Sequence, residues 1–203
     1  MTSALRIVVT GLIAQHHRLG GVTRENSREA VKWFERAIEA DPNYSLPYAW
    51  WVCSASWLPD FDSDKGLRYI KKAIELDGNL HLARAHLGEI YLTGDNLRAK
   101  EAIAQLEPAA KAMPKDADIQ QLLGFAYRAE KQYDASDKAY RASLAIEDRP
   151  QVRFDYADML FEADKLDEAA AEMRKLFPLF DKDVKVVAQL AHRFAKAKAF
   201  KDC

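Results

Sequence analysis

The sequence predicts an all-α fold: a solenoid of antiparallel helical hairpins forming a single repeat domain over residues 1–203. Three observations carry this. Pro42, Gly78 and Pro114 recur 36 residues apart, and each closes a similar amphipathic segment, residues 37–43, 73–79 and 109–115. The chain holds only 8 Gly and 7 Pro, too few for the turns of a β-sandwich, and Ala, Leu, Glu, Lys and Arg abound. Hydrophobic residues make up 49% and charged residues 30%, enough apolar surface for a core and unlike a disordered chain.

The period divides the chain into about five repeats, 5–44, 45–80, 81–116, 117–149 and 150–183, followed by a terminal helix over 184–201. Each repeat reads as a helix, a short polar turn and a returning amphipathic helix ended by breakers. In the first, the apolar stretch Ala4 to Ala14 reads as the opening helix; Arg6 interrupts it and no small-x-small cleavage site follows, which argues against a signal peptide. The second is dense in aromatics, with Tyr44, Tyr48, Trp50, Trp51 and Trp57. Trp51 falls on the core side, and Trp50 points about 100° away from it. Trp50 therefore either packs on a neighbouring hairpin or offers an aromatic anchor to a partner.

The third repeat carries Leu87-Gly88-x-x-Tyr91 with Ala102, Leu106 and Ala109, and the fourth Leu123-Gly124-x-x-Tyr127 with Ser136, Tyr140 and Ser143. The fifth places Ala157 and Ala169 at the matching positions and ends near Phe180-Asp181. Small residues at Gly88, Gly124 and Ala157, and at Ala30, Gly66, Ala102, Ser136 and Ala169, let paired helices approach. Phe34, Tyr91, Tyr127 and Tyr140 fill the space beside them. One hairpin cannot bury its apolar face alone, so stacking supplies the core. The terminal helix has an apolar stripe of Val187, Leu190, Ala191 and Phe194 beside a basic face with Lys185, Arg193 and Lys196. It reads as a cap on the stack; the sharper alternatives are a basic docking site and an apolar edge that pairs two copies as a homodimer.

Motifs for chemistry are missing. There is no G-x-x-x-x-G-K-[ST], H-E-x-x-H, C-x-x-C or G-x-S-x-G, and Gly20-Gly21 alone makes no dinucleotide loop, so no catalytic residue, cofactor or metal site is expected. His16, His17, His81, His86 and His192 show no ligand spacing and read as solvated or capping; Cys53 reads as a small buried hydrophobe, and Cys203 fits no prenylation motif. Two cysteines so far apart suggest a reducing compartment, hence a cytoplasmic location. A net charge of −1 gives no field for nucleic acid or an anionic membrane, and no apolar run of eighteen residues appears. Asp155, Asp158, Glu162 and Asp164 read first as a solvated face.

The pattern of a large residue, Leu-Gly, Tyr, then a small residue, an aromatic, Ala and Pro resembles the tetratricopeptide-repeat (TPR) family over roughly residues 5 to 200. The resemblance implies a right-handed α-solenoid that binds a protein or peptide and does no chemistry. The sequence departs from it in the second repeat, which has Trp51-Val52 for Leu-Gly, Ala55 for Tyr and an irregular turn at Leu58–Asp62. The first repeat's turn, His17 to Glu25, and the third's, Thr93 to Leu97, are also long. More narrowly, Thr23-Arg24-Glu25-Asn26 with Ala30, Phe34-Glu35, Ala37-Ile38, Asp41-Pro42-Asn43-Tyr44 and Tyr48-Ala49 is similar to repeat regions attached to bacterial class III adenylate/guanylate cyclase-like proteins and to some winged-helix regulators. That likeness implies the alternative of a regulatory segment working with such an effector.

In the family, the first helices of successive hairpins line a concave groove. Carried onto this sequence, the groove positions are Trp50, Cys53, His86, Glu89, Gln121, Phe125, Arg128, Asp155 and Asp158. This surface is mixed. It lacks the Lys and Asn cluster with which some family members clamp chaperone tails, so a partly apolar helix or extended peptide is the expected partner.

Overall fold

A computed structural model describes residues 7, 23–93 and 97–176. Among the described residues there are nine α-helices and no strand: α1 Arg24–Ala40, α2 Ser45–Ala55, α3 Ser63–Leu76, α4 His81–Leu92, α5 Ala99–Ala112, α6 Ala117–Ala129, α7 Tyr133–Ile146, α8 Pro150–Glu162 and α9 Leu166–Leu176. Apart from Ile7, the expected opening helix lies outside the described residues, as do the terminal helix with its homodimer edge and His16, His17, His192 and Cys203. The chain divides into two compact units, Met1–Asn96 and Leu97–Cys203, so the repeat of residues 81–116 has α4 in one and α5 in the other.

The helix ends follow local chemistry. Thr23 caps α1 by accepting from the Asn26 amide at 3.2 Å, Asp62 caps α3 through Lys65 at 2.9 Å, and Asp116 caps α6 through Asp118 and Ile119, each at 3.1 Å. Pro150 opens α8, where its missing N–H costs nothing. Helices α1, α3 and α5 stop two residues before Pro42, Gly78 and Pro114, as the period predicts.

In the first unit α1, α2, α3 and α4 pack in sequence, and α2 also touches α4. The core of α2 and α3 is aromatic. Tyr69 meets Trp51 edge-on at 4.9 Å and Tyr48 at 5.2 Å, and Phe61, from the irregular turn, covers Gly66 and approaches Trp51 at 6.4 Å. Its polar edge is tied as well: Glu35 accepts from the Trp51 indole at 3.2 Å and from Lys65 at 2.7 Å, while the Lys65 ammonium lies 4.7 Å from the Trp51 ring centre.

In the second unit α5 to α9 pack in sequence, and α6 also touches α8. Gly124 on α6 lies directly under the Tyr140 ring of α7, so close that an added methyl would stand 2.8 Å from the ring. Ser136 Oγ donates to the Gly124 carbonyl at 2.7 Å and Ser143 Oγ to the Ala117 carbonyl at 2.8 Å, both buried, pinning α7 to the backbone of α6. Tyr140, Val152, Tyr156, Met159, Leu160 and Ala169 form the core between α7, α8 and α9. Both hairpin turns use a left-handed residue, Lys131 at φ 58° and Asp164 at φ 60°. The next amide then reaches back to close the helix, Gln132 to the Tyr127 carbonyl at 2.8 Å and Lys165 to Leu160 at 2.9 Å.

Candidate functional site

The first helices of consecutive hairpins lie side by side in each unit, α2 by α4 and α6 by α8. Each pair is clasped by a side-chain contact spanning about one repeat. In the second unit the Asp116 cap sets the register of α6, so that Gln121, Phe125 and Arg128 follow one another at helical spacing; Pro150 likewise sets Asp155, Asp158 and Glu162 on α8. Arg128 grips the Glu162 carboxylate with two bonds, from Nε at 2.9 Å and Nη2 at 2.5 Å, and reaches the Asp155 backbone carbonyl at 3.5 Å and the Asp158 carboxylate at 3.9 Å. The fork matches the carboxylate plane, which fixes the guanidinium as well as pairing its charge.

Beside this clasp opens a cavity of about 560 Å³ lined by Phe125, Arg128, Ala129, Lys131, Tyr133 and Glu162. Phe125 is 38% exposed at its edge, one of the few large apolar side chains in the described residues that are not covered. A second opening of about 510 Å³ shares Lys131 and Tyr133 and continues past Asp134, Ala163 and Lys165. Apolar rings and both signs of charge thus meet around the left-handed turn at Lys131. Such a lining suits an apolar side chain flanked by polar ones.

In the first unit the clasp is Cys53 on α2 with His86 on α4, Sγ to Nε2 at 2.6 Å, and His86 Nδ1 faces the Glu89 carboxylate at 3.3 Å. Burial opposes a charge on His86, but the hydrogen bonds to Cys53 and Glu89 outweigh it and push its pKa up to about 10. The structure corrects the reading of His86 as a solvated or capping residue. Cys53 is buried as expected, yet it is a polar partner and not only a small hydrophobe.

The residues expected along the groove therefore fall into two groups. His86 and Glu89 join Cys53, with Trp50 half-buried on α2; Phe125, Arg128, Asp155 and Asp158 gather on α6 and α8, with Gln121 one turn before Phe125. The sequence reading missed Glu162, Lys131 and Tyr133 as neighbours of this site. A signal existed: Cys53 and His86 are 33 residues apart and Arg128 and Glu162 are 34 apart, so complementary side chains just short of one repeat apart face each other. Among the described residues, no group of three His, Cys, Asp or Glu side chains could hold a metal ion, and no helix is long and apolar enough to cross a membrane.

Residues 23–44 and 117–149 match the tetratricopeptide repeat family model. No curated protein matches the sequence. Among solved structures, a thermophilic TPR protein of Thermus thermophilus is similar at 22% identity and a TM-score of 0.59, covering 97% of this chain and 100% of its own. PilW, a type IV pilus biogenesis factor, is similar at 17% identity and a TM-score of 0.74, covering 97% of this chain and 86% of its own. YrrB, a TPR protein with an unusual peptide-binding site, is similar at 22% identity and a TM-score of 0.69, covering 83% of this chain and 84% of its own. These likenesses establish the helical-hairpin fold.

Proposed function

We propose that this chain is a protein-interaction scaffold, and that its second unit seats a partly apolar peptide segment on α6 and α8 around Phe125. The observation that carries this is an exposed aromatic ring at the edge of a cavity whose other walls are Arg128, Lys131, Tyr133 and Glu162. The fold supports it: YrrB, similar in structure, is a TPR protein with a peptide-binding site. An apolar side chain would pack on Phe125 and Tyr133, and its polar neighbours would meet Lys131 and Glu162. Trp50, His86 and Glu89 lie in the first unit and are not part of this seat; His86 is engaged by Cys53.

Arg128 holds α6 to α8, so replacing it would disturb the fold along with the surface. Phe125→Ala is the cleaner test. Peptides selected from a displayed library against the full chain should lose about tenfold in affinity with this variant, measured by calorimetry. Unchanged affinity, with the helical circular dichroism intact, would refute the placement on Phe125. The alternative, a regulatory segment serving a cyclase-like protein or a transcription regulator, rests on the residue likeness in 23–49 alone.

A further inference from the structure

The Cys53–His86–Glu89 cluster is not used by the proposed peptide surface, and its arrangement is that of a nucleophile, a proton partner and an orienting carboxylate. We propose that Cys53 is a reactive thiol, a modification site for small hydroperoxides, with His86 as its proton partner and Glu89 as the positioning residue. An ionised carboxylate only accepts hydrogen bonds, so Glu89 fixes a proton on His86 Nδ1 and leaves Nε2 as the ring atom facing sulfur. The thiol proton then has a receiver 2.6 Å away. The raised pKa of His86 is consistent with a ring that keeps that proton.

Access is narrow but present. Cys53 is 9% exposed, and the His86 and Glu89 side chains are 25% and 54% exposed, so a reagent as small as hydrogen peroxide suits the site better than a bulky one. Several other ionisable groups packed about α2 in the described residues have partners elsewhere. On α1 and α3, Glu35 and Lys65 pair with each other at the Trp51 edge, where the Tyr69 ring also packs; on α2 itself the Tyr48 hydroxyl donates to the Pro42 carbonyl. On α4, Arg84 donates to the Gly78 carbonyl. Among the described residues, His86 contacts the sulfur and Glu89 contacts His86.

With hydrogen peroxide the step is a displacement. The Cys53 proton passes to His86 Nε2, sulfur attacks one peroxide oxygen, the S–O bond forms and the O–O bond breaks. The departing hydroxide takes the proton from His86 and leaves as water. Sulfur is oxidised by two electrons to a sulfenic acid and the peroxide is reduced.

The test uses the full chain with Cys203→Ser, so that Cys53 is the sole thiol, treated with hydrogen peroxide and trapped with dimedone, with labelling followed by mass spectrometry across pH. At pH 7 the folded chain should label at least about tenfold faster than the same chain unfolded in urea. His86→Gln should remove most of that excess, and Glu89→Gln should slow the reaction severalfold and change its pH profile with the circular dichroism unchanged. Folded labelling no faster than unfolded labelling would overturn the proposal. So would a rate and pH profile left unchanged by Glu89→Gln, which decides the matter even if His86→Gln does not fold.

Discussion

Two hairpins of this chain solve one packing problem in different ways. In α6/α7 the helices are drawn together by removing atoms: Gly124 has no side chain, the Tyr140 ring occupies the space, and Ser136 reaches across to the Gly124 carbonyl. In α2/α3 the equivalent helix carries Trp51-Val52, and space is filled by adding rings, with Tyr48, Trp51, Tyr69 and a Phe61 lent by the turn. The turns differ accordingly. A left-handed Lys131 reverses the chain within three residues, whereas residues 56–62 make a longer path that delivers Phe61 onto Gly66. Close approach needs a tight turn and small residues; a wider aromatic core tolerates a longer one.

The sharpest way to break this comparison is to add one methyl to each glycine. At Gly124 the new carbon would stand 2.8–2.9 Å from the fully buried base of the Tyr140 ring, which cannot swing aside. Overpacking of about 1–3 kcal/mol should exceed the ~1 kcal/mol that alanine contributes by helix propensity. Gly124→Ala should therefore lower stability in urea unfolding, by up to about 2 kcal/mol. At Gly66 the contact is 2.6 Å, shorter still, but it is with the far end of the Phe61 ring on a half-buried turn. That ring can shift, so Gly66→Ala should change stability by less than about 0.5 kcal/mol in either direction. Equal losses at both glycines would show that the two hairpins are packed alike.

A smaller effect probes the serine pins. Ser136→Ala removes a buried donor without leaving a large hole and should cost about 1 kcal/mol, read by the same unfolding curves. The smallest concerns the turn. Asp164 sits at φ 60°, where glycine is unstrained, so Asp164→Gly should raise stability by about 0.5–1 kcal/mol. A loss there would mean that the Asp164 side chain contributes more than its backbone strain costs.

Most of the repeat grammar could be read beforehand because it is local. Breakers at Pro42, Gly78 and Pro114 end helices wherever they stand, and Thr23, Asp62 and Asp116 cap helices through amides three residues away or fewer. Small residues at Gly124 and Ser136 marked the close approach correctly, because only such residues permit it. The site was less legible. Gln121, Phe125 and Arg128 could be placed along one side of α6 from helical spacing alone, but that Arg128 would be engaged by Glu162, and His86 by Cys53, depends on how far one hairpin slides along the next. An offset of one turn would pair different residues. The 36-residue period fixes that offset only to within a few residues, and the observed separations of 33 and 34 fall inside that margin.

The sequence by itself determined the all-helical class, the hairpin period and most helix ends, since periodicity, caps and breakers act over a few residues and need no partner. Tertiary structure decided which side chains meet: the Phe61 ring over Gly66, the Cys53–His86–Glu89 cluster, and the Arg128–Glu162 clasp that leaves Phe125 exposed at its cavity. These contacts join residues distant in the chain. Their geometry is set by the packing distance and sliding offset between helices, and those quantities exist only once the hairpins have stacked.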